Sequence, residues 1–410
     1  MAEQAPIASK LMQRWDKLKW LYNDLTPHKR VIGLAEFFYL SLRKKFRRDG
    51  NTDSIWLIGE ARGACLRENG YHFFLYCRAQ HPEKRTYFVI DKASPHHNDL
   101  ANNPYVLTYG SLRHITAYLE ATTCFYTHTY SDFIFRELYL LHHKGKHLVF
   151  LHHGVLGFKM FDQRYVSDRN IMDLFVVGSS LERDILIDHA GVVPDKVKVT
   201  GYPRYDSMTS STSAAKVQIA YLPTHRNWLK VASGNFRETD FFKNVSELLN
   251  LPQLSRFLSD NHITLKVYLH AAMQRYSSSF ETGDTQIKIV HFGEETPLDL
   301  ICKSQLLITD YSSVSWDFLY LNKPVLFFRF DLPRYLASRG SYLPLDKPIF
   351  GDVFFEGSEV GAAIERAFHE NFSLAPQYKA YRDSIMPMID RNNCARVFEL
   401  VNGLPSRAIS

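Results

Sequence analysis

Beyond residue 50 the chain alternates short apolar runs with longer segments whose apolar residues recur at helical spacing. A short apolar run bounded by polar or turn residues is typical of a buried strand. Such runs come first at 54–59, 86–91, 106–109, 123–126, 147–151, 173–178 and 196–200. Because helical segments separate most of them, the first starting at Asn69, the pattern predicts a parallel sheet with helices on both faces.

The stretch Gly201-Tyr202-Pro203-Arg204 interrupts this pattern, and its glycine and proline predict a domain boundary. A second series of strands is predicted at 218–222, 265–269, 287–290, 306–309 and 324–328. The sequence therefore predicts an α/β protein with two doubly wound parallel-sheet domains facing a cleft. We assign 51–198 to an N-terminal acceptor domain and 199–410 to a C-terminal nucleotide-donor domain, by analogy with other folds of this kind. A chain of 410 residues, 45% of them hydrophobic, is long enough for two cores.

Residues 1–50 differ from the rest of the chain in charge. They hold eleven Lys or Arg and five Asp or Glu, which accounts for the whole formal charge of +6. Basic clusters beside tryptophans and short apolar turns are typical of a segment that lies on an anionic membrane surface. The alternative is a charged helix packed on the body of the protein. The balanced charge elsewhere argues against a nucleic-acid groove.

The sequence contains no run of eighteen apolar residues, and it does not open on an apolar leader. We therefore expect neither a transmembrane helix nor secretion, and we place the protein peripherally on the cytoplasmic face of the membrane. The five cysteines fit neither a zinc site nor a disulfide framework, as is usual in a reducing cytosol.

Several motifs of other enzyme classes are missing from the sequence. It has no GxxxxGK[ST], HExxH or GxSxG motif and no Asp-x-Asp pair, so an ordinary NTPase, a zinc hydrolase and a serine hydrolase are not indicated. We predict no resident cofactor and no metal site from these patterns, and participation of a divalent metal stays open.

Polar residues follow four of the predicted strands at the point where each strand ends. The junctions are His152-His153-Gly154, Pro223-Thr224-His225-Arg226-Asn227, His270 and Asp310-Tyr311-Ser312-Ser313. In open parallel sheets, ligands bind beyond the carboxyl ends of the strands. Four such junctions in one chain predict a cleft lined by these residues.

The junction at Asp310 is the most specific of the four. It links an apolar strand to a predicted helix at 314–322, and a helix start presents free backbone N–H groups that bind phosphate. Ser312 and Ser313 add hydroxyl donors. Ordinary helix capping is the alternative, since Ser and Asp are favoured caps. With the other junctions, the pattern favours phosphate binding.

His153 is a candidate general base. A histidine that titrates near neutrality accepts a proton from a hydroxyl, and Gly154 allows close approach of the backbone. A purely structural histidine is the alternative. Facing it, His270 and Arg226 are expected to stabilise charge on a phosphoryl centre.

Five stretches of the chain resemble one known family. They are 151–154, 199–206, 221–226, the long stretch 308–328 and 390–397. In these stretches the sequence resembles the CDP-glycerol glycerophosphotransferases, which build teichoic acids and related capsule polymers. The resemblance implies a two-domain GT-B-like fold and a transferase at the membrane surface. It implies that an acceptor hydroxyl attacks the β-phosphate of CDP-glycerol and that CMP leaves.

The resemblance also implies roles for individual residues. His153 matches the family's base, Ser312 and Ser313 match its donor-phosphate contacts, and His270 and Arg226 are further counterparts. Thr224 and Asp310 fall in the same donor stretches, and we assign Gly154 and Lys159 to the acceptor side. The chain departs from the family pattern at 155–159, at His225 and at Ala271, where the family often has other residues.

Three hypotheses follow. The first is transfer of a polyol phosphate from CDP-glycerol to a polymer or lipid-linked acceptor, with CDP-ribitol as an alternative donor. The second is a GT-B glycosyltransferase that uses a nucleotide sugar. The third is a non-catalytic member that organises other polymer enzymes. The choice between a primase and a polymerase, the acceptor and the oligomeric state stay open.

Overall fold

The computed structural model describes residues 54–407 except 65, 101, 162–170, 212–215, 230–234 and 281. The basic segment predicted at 1–50 therefore lies outside the described residues. Within them, the strands form one seven-stranded and one six-stranded sheet, and every strand pair is parallel. The prediction of two parallel-sheet domains is confirmed.

The first sheet has the strand order β3-β2-β1-β4-β5-β6-β7. Its strands are β1 (Ile55–Gly59), β2 (Thr86–Ile90), β3 (Val106–Thr108), β4 (Ala121–Tyr126), β5 (His147–Phe150), β6 (Leu174–Val177) and β7 (Val197–Val199). The helices between them are α1 (Asn69–Gln80), α2 (His97–Leu100), α3 (Leu112–Glu120), α4 (Arg136–His142) and α5 (Ser180–Ala190).

The second sheet has the order β10-β9-β8-β11-β12-β13. Its strands are β8 (Gln218–Tyr221), β9 (Thr264–Val267), β10 (Ile287–Ile289), β11 (Leu306–Thr309), β12 (Val325–Phe328) and β13 (Asp352–Phe354). The helices of this half are α6 (Asp240–Leu249), α7 (Pro252–Asp260), α8 (Pro297–Lys303), α9 (Val314–Tyr320), α10 (Leu332–Arg339) and α11 (Gly357–His369). Two further helices close the chain, α12 (Pro376–Ile385) and α13 (Asn393–Asn402).

Local sequence explains several of these boundaries. Ser179 accepts a hydrogen bond from the Glu182 N–H at the start of α5, and Gly191 ends that helix with φ 65°. Thr296 and Asp299 form a capping box at the start of α8. The predicted strands agree with the observed ones to within two residues at each end. Strand β13 was missed because its three residues are partly or fully exposed at a sheet edge and form no apolar run.

Each sheet has a point where the strand order reverses, between β1 and β4 in the first sheet and between β8 and β11 in the second. At such a point, adjacent loops leave the sheet toward opposite faces and open a crevice that binds ligands. Both reversals therefore mark where a site is expected.

The end of the chain returns to the first domain. The Phe398 ring of α13 lies 5.1 Å from Trp56 and 3.5 Å from His81, and His147 Nε2 donates to the Pro405 carbonyl at 2.9 Å. The division at residue 198 thus needs two corrections. Strand β7 ends at Val199 in the first sheet, and α13 packs on the first domain because its apolar face completes that core.

No helix in the described part of the chain combines the length and the hydropathy that crossing a bilayer requires.

Candidate active site

His153 lies beyond the carboxyl end of β5. His152, with φ 57°, turns the chain sharply after the strand. The His153 Nδ1 atom lies 3.3 Å from the Thr127 carbonyl oxygen, which follows β4. Because a carbonyl oxygen only accepts hydrogen bonds, the proton of the neutral ring sits on Nδ1. The lone pair of the neutral ring is then on Nε2, where it can accept a proton.

Three imidazoles stack at this position. The His153 ring lies 4.3 Å from His128 and 4.8 Å from His152, with interplanar angles of 8° and 16°. Burial lowers the pKa of His153 well below its ordinary value of 6.5, and the neighbouring His152 and His128 lower it further. His153 is therefore neutral at neutral pH, which is the state a general base requires.

Carboxylates support the outer ring of the stack. Glu68 Oε2 lies 3.5 Å from His128 Nδ1 and accepts from the Thr127 hydroxyl at 2.8 Å. Asp132 Oδ2 accepts from the Thr127 and His128 N–H groups at 3.0 and 2.8 Å. Burial, followed by the charge of Glu68, raises the pKa of Glu60 to about 8, although three backbone N–H groups favour its charged form. These residues occupy the β1–β4 reversal.

On the second sheet, Thr224 and Asp310 meet at the β8–β11 reversal. The buried Asp310 carboxylate accepts from the Thr224 N–H at 2.9 Å and from the Tyr311 N–H at 2.5 Å. The Thr224 hydroxyl is buried and has no hydrogen-bond partner among the described residues. Asp310 therefore fixes the shape of the turn.

Arg226 lies beneath this turn. Its guanidinium is fully buried and makes a two-pronged contact with Asp331 at 2.7 and 2.9 Å. It also contacts Asp310 Oδ2 at 2.8 Å and donates to the Thr224 carbonyl at 2.6 Å. The sequence-based prediction has Arg226 touching a phosphoryl group. In the structure, the guanidinium donors of Arg226 are instead occupied by Asp310, Asp331 and the Thr224 carbonyl. Arg226 therefore stabilises the turn at Thr224 and Asp310.

Three other predicted site residues, Ser312, Ser313 and His270, lie nearer the surface. Ser313 is exposed and Ser312 half-buried, directly before α9. His270 is exposed and its ring lies 4.8 Å from that of His225, while its Nδ1 accepts from the Ala272 N–H at 3.1 Å. The two serines follow β11 and His270 follows β9, as predicted.

The two halves of the site touch at Gly154 and Ser313. A Cβ atom added to Gly154 would lie 2.9 Å from the Ser313 hydroxyl oxygen and 3.2 Å from the Ser313 Cβ. The His153-Gly154 loop of the first sheet is therefore in contact with the Ser312-Ser313 turn of the second. The geometry joins a neutral imidazole to a turn of hydroxyl and backbone N–H donors.

The loop after Gly154 crosses to the second domain. Phe158 is buried, with its ring 5.2 Å from Trp316 and 5.7 Å from Phe350. The Tyr342 N–H donates to the Gly157 carbonyl at 3.0 Å. Lys159 follows as an exposed residue. The loop that carries Lys159 thus packs against the second domain.

No group of three or more His, Cys, Asp or Glu side chains between 54 and 407, as far as the structure describes them, is arranged to hold a metal ion.

Comparison with known proteins places the chain in a family. Residues 40–403 match the model of the CDP-glycerol:poly(glycerophosphate) glycerophosphotransferases. The chain belongs to this family.

Curated relatives of this glycerophosphotransferase family member are teichoic acid proteins. The minor teichoic acid biosynthesis protein GgaB of Bacillus subtilis (strain 168) is 22% identical over 374 residues, which is 88% of this chain and 41% of GgaB. The teichoic acid glycerol-phosphate primase of the same strain is 26% identical over 266 residues, 60% of this chain and 61% of the primase. The chain thus spans about half the length of these relatives.

The fold of this family member is shared with a solved structure. The wall teichoic acid polymerase TagF superposes with a TM-score of 0.65 at 16% identity, over 86% of this chain and 89% of that chain. The likeness confirms the predicted two-domain GT-B-like fold.

The contact between Gly154 and Ser313 leads to a first prediction. We expect Gly154→Ala to lower the rate of the family reaction, since the added methyl group displaces Ser313 by a few tenths of an ångström. The thermal midpoint should stay near that of the wild type, because a hydroxyl at the surface gives way easily. Steady-state kinetics and thermal unfolding measure the two effects. Gly283→Ala is the control, since nothing lies within 4 Å of its Cβ position; equal activity of both variants would contradict the contact.

Proposed function

We propose that this protein transfers glycerol phosphate from CDP-glycerol to a hydroxyl group of a cell-surface polymer or its lipid-linked precursor. The observation that carries the proposal is the contact between the His153-Gly154 loop and the Ser312-Ser313 turn. The loop lies beside the β1–β4 reversal, where His128 stacks on His153, and the turn lies at the β8–β11 reversal. A base and a phosphate-binding turn that touch suit attack of a hydroxyl on a phosphoryl group. Family membership supplies the donor, and a TagF variant soaked with CDPG is among the structural neighbours.

The reaction begins at His153. Its Nε2 removes the proton of the acceptor hydroxyl while the oxygen attacks the β-phosphorus of CDP-glycerol. The new bond joins the acceptor oxygen to the β-phosphorus, and the bond from that phosphorus to the bridging oxygen breaks. CMP leaves with the bridging oxygen, and the proton stays on His153 until solvent removes it.

The donor half holds the pyrophosphate. Ser312 and Ser313, through their hydroxyls and backbone N–H groups, and the Thr224 hydroxyl donate to its oxygens. His270 reaches the same region from β9 and stabilises the leaving phosphate. Arg226 and Asp310 fix the turn from below. Most of the catalytic effect in phosphoryl transfer comes from such positioning and charge stabilisation.

The acceptor side lies at the β1–β4 reversal, where Glu68 and His128 support His153. Gly154 opens the approach to the base, and Lys159 offers a cation to an anionic acceptor. Teichoic acid proteins among the relatives support a phosphate-containing polymer as the acceptor class.

A panel of donors tests the proposal. Purified protein is incubated with CDP-glycerol, CDP-ribitol and UDP-sugars, with and without a lipid-linked acceptor mimic, and the released nucleotide is measured. We expect acceptor-dependent release of CMP from CDP-glycerol. Release from CDP-ribitol alone would change the polyol, release of UDP would indicate a glycosyltransferase, and no release with any donor would favour the non-catalytic hypothesis.

We also propose that the protein works at the cytoplasmic face of the membrane, attached peripherally through residues 1–50. Their excess of Lys and Arg equals the whole net charge, and basic residues near an anionic surface add to binding. Deleting 1–50 should therefore abolish sedimentation with vesicles that contain anionic phospholipid. Neutral phosphatidylcholine vesicles are the control, and unchanged sedimentation of the truncated protein with anionic vesicles would contradict the attachment.

A further inference from the structure

Two of the family-like stretches, 199–206 and 308–328, meet at the crossover, the segment that links β7 to β8. The Arg204 Nη2 atom of the first donates to Asp317 Oδ1 of the second at 2.5 Å. The side chains are 8% and 6% exposed. A charge-assisted hydrogen bond at this burial is strong and short. The two stretches therefore form one buried ion pair across the crossover.

Arg204 also holds the backbone of the His153 loop. Its Nη1 donates to the carbonyl of His153 at 3.1 Å. Its backbone N–H donates at 3.2 Å to Asn69 Oδ1, and the Asn69 amide donates to the carbonyls of Leu151 and His152 at 3.0 and 2.8 Å. Three successive carbonyls of the loop are thus fixed by Arg204 and Asn69.

Asp317 belongs to the donor half. It lies in α9, one turn after Ser313, and is buried. The Trp316 N–H donates to the Ser313 carbonyl at 3.1 Å, so the first turn of the helix and the serine turn are one unit. A displacement of α9 therefore moves Ser312 and Ser313 with Asp317.

We propose that Arg204 and Asp317 are positioning residues that set the separation between the His153 base and the phosphate-binding serine turn. The inference rests on the function proposed above. Arg204 reaches the carbonyl of the base on one side and the helix of the serine turn on the other. Separation of the two halves would leave a buried charge without its partner, which is strongly unfavourable. This ion pair, the Arg204–Asp317 bridge, thus keeps the His153 loop and the serine turn together.

A second link at the crossover provides a matched control. Arg396 of α13 donates to the Thr200 carbonyl at 2.8 Å and to the Asn393 side chain at 2.6 Å, and it pairs with Asp390 at 2.7 Å. These hydrogen bonds tie α13 to the crossover, and their partners lie in neither the His153 loop nor α9. Arg396→Lys therefore loosens the crossover and leaves the Arg204–Asp317 bridge in place.

Kinetics test the bridge first. Arg204→Lys keeps the positive charge but loses the forked guanidinium that contacts both partners. Asp317→Asn keeps the shape of the side chain but loses its negative charge. We expect each to lower kcat about 100-fold, as misplacement of a reacting group by about 1 Å does. The KM for CDP-glycerol should stay within error, because the donor contacts remain. The double variant should lose no more than either single one, since the residues act as a unit.

Hydrogen exchange tests the bridge without relying on activity. In Arg204→Lys and Asp317→Asn, the amides of 151–158 and 311–318 should exchange faster together, whereas Arg396→Lys should affect only 393–402. Unchanged exchange, or a loss of kcat no larger than that of Arg396→Lys, would overturn the proposal. If exchange responds as expected while wild-type protein releases no CMP from CDP-glycerol, the bridge stands and the proposed reaction fails.

Discussion

Replacing His153 with alanine is expected to lower acceptor-dependent CMP release about 10²- to 10⁴-fold, the usual contribution of a general base. The Nε2 lone pair is lost, while the donor turn keeps its Thr224–Asp310 hydrogen bonds. The KM for CDP-glycerol should therefore change little. Steady-state kinetics measure both parameters, and His369→Ala, at the exposed end of α11, is the control.

The role of His153 as base also determines the pH dependence of the wild-type enzyme. The base works only while it is neutral, and the pKa of His153 is lowered below 6.5 by burial and the stacked histidines. Activity should therefore persist as pH falls through 6.5 and decline only at lower pH, through the lowered pKa. A His153→Ala variant with near wild-type turnover would contradict the base assignment.

Replacing Arg226 with methionine is expected to destabilise the protein by about 3–5 kcal/mol, the cost of removing one partner from a buried ion pair. Asp310 and Asp331 would then share a buried site without the guanidinium that contacts both of them. The free energy of unfolding, measured with urea, reports the loss. Arg226→Met/Asp331→Asn should recover part of it, since one uncompensated carboxylate is then removed.

A surface pair provides the comparison. Arg407 contacts Asp173 at 2.6 Å with 43% of its side chain exposed. Arg407→Met should cost only about 0–1 kcal/mol, as exposed ion pairs contribute little. If Arg226→Met proved as stable as the wild type and raised only the KM for the donor, Arg226 would contact the phosphate directly, and its structural role would be wrong.

The strands were predictable because parallel strands buried on both faces carry continuous apolar runs. The rule that polar residues follow such runs also led to His153, Thr224 and Ser313, which stand at carboxyl ends of strands. The same rule applied after the strand at 123–126 would have found His128. That residue was missed because it belongs to none of the five family-like stretches.

The parts that escaped prediction depend on contacts between distant residues. Arg226 looks like a phosphate ligand in sequence, and only the approach of Asp331 shows that its donors are occupied. Arg204 and Asp317 are more than a hundred residues apart in the sequence, so no local pattern predicts their ion pair. The helix at 393–402 has an amphipathic sequence that fits either core, and packing against Trp56 decides which.

The most direct test of the central claim follows the β-phosphorus of the donor. CDP-glycerol labelled with ³²P at the β-position is incubated with the protein and an acceptor, and label is measured in the polymer and in the released nucleotide. The account predicts that label enters the polymer in a phosphodiester and that the CMP released is unlabelled. Label that remains in a released nucleoside diphosphate would contradict attack at the β-phosphorus, and with it the proposed transfer of glycerol phosphate.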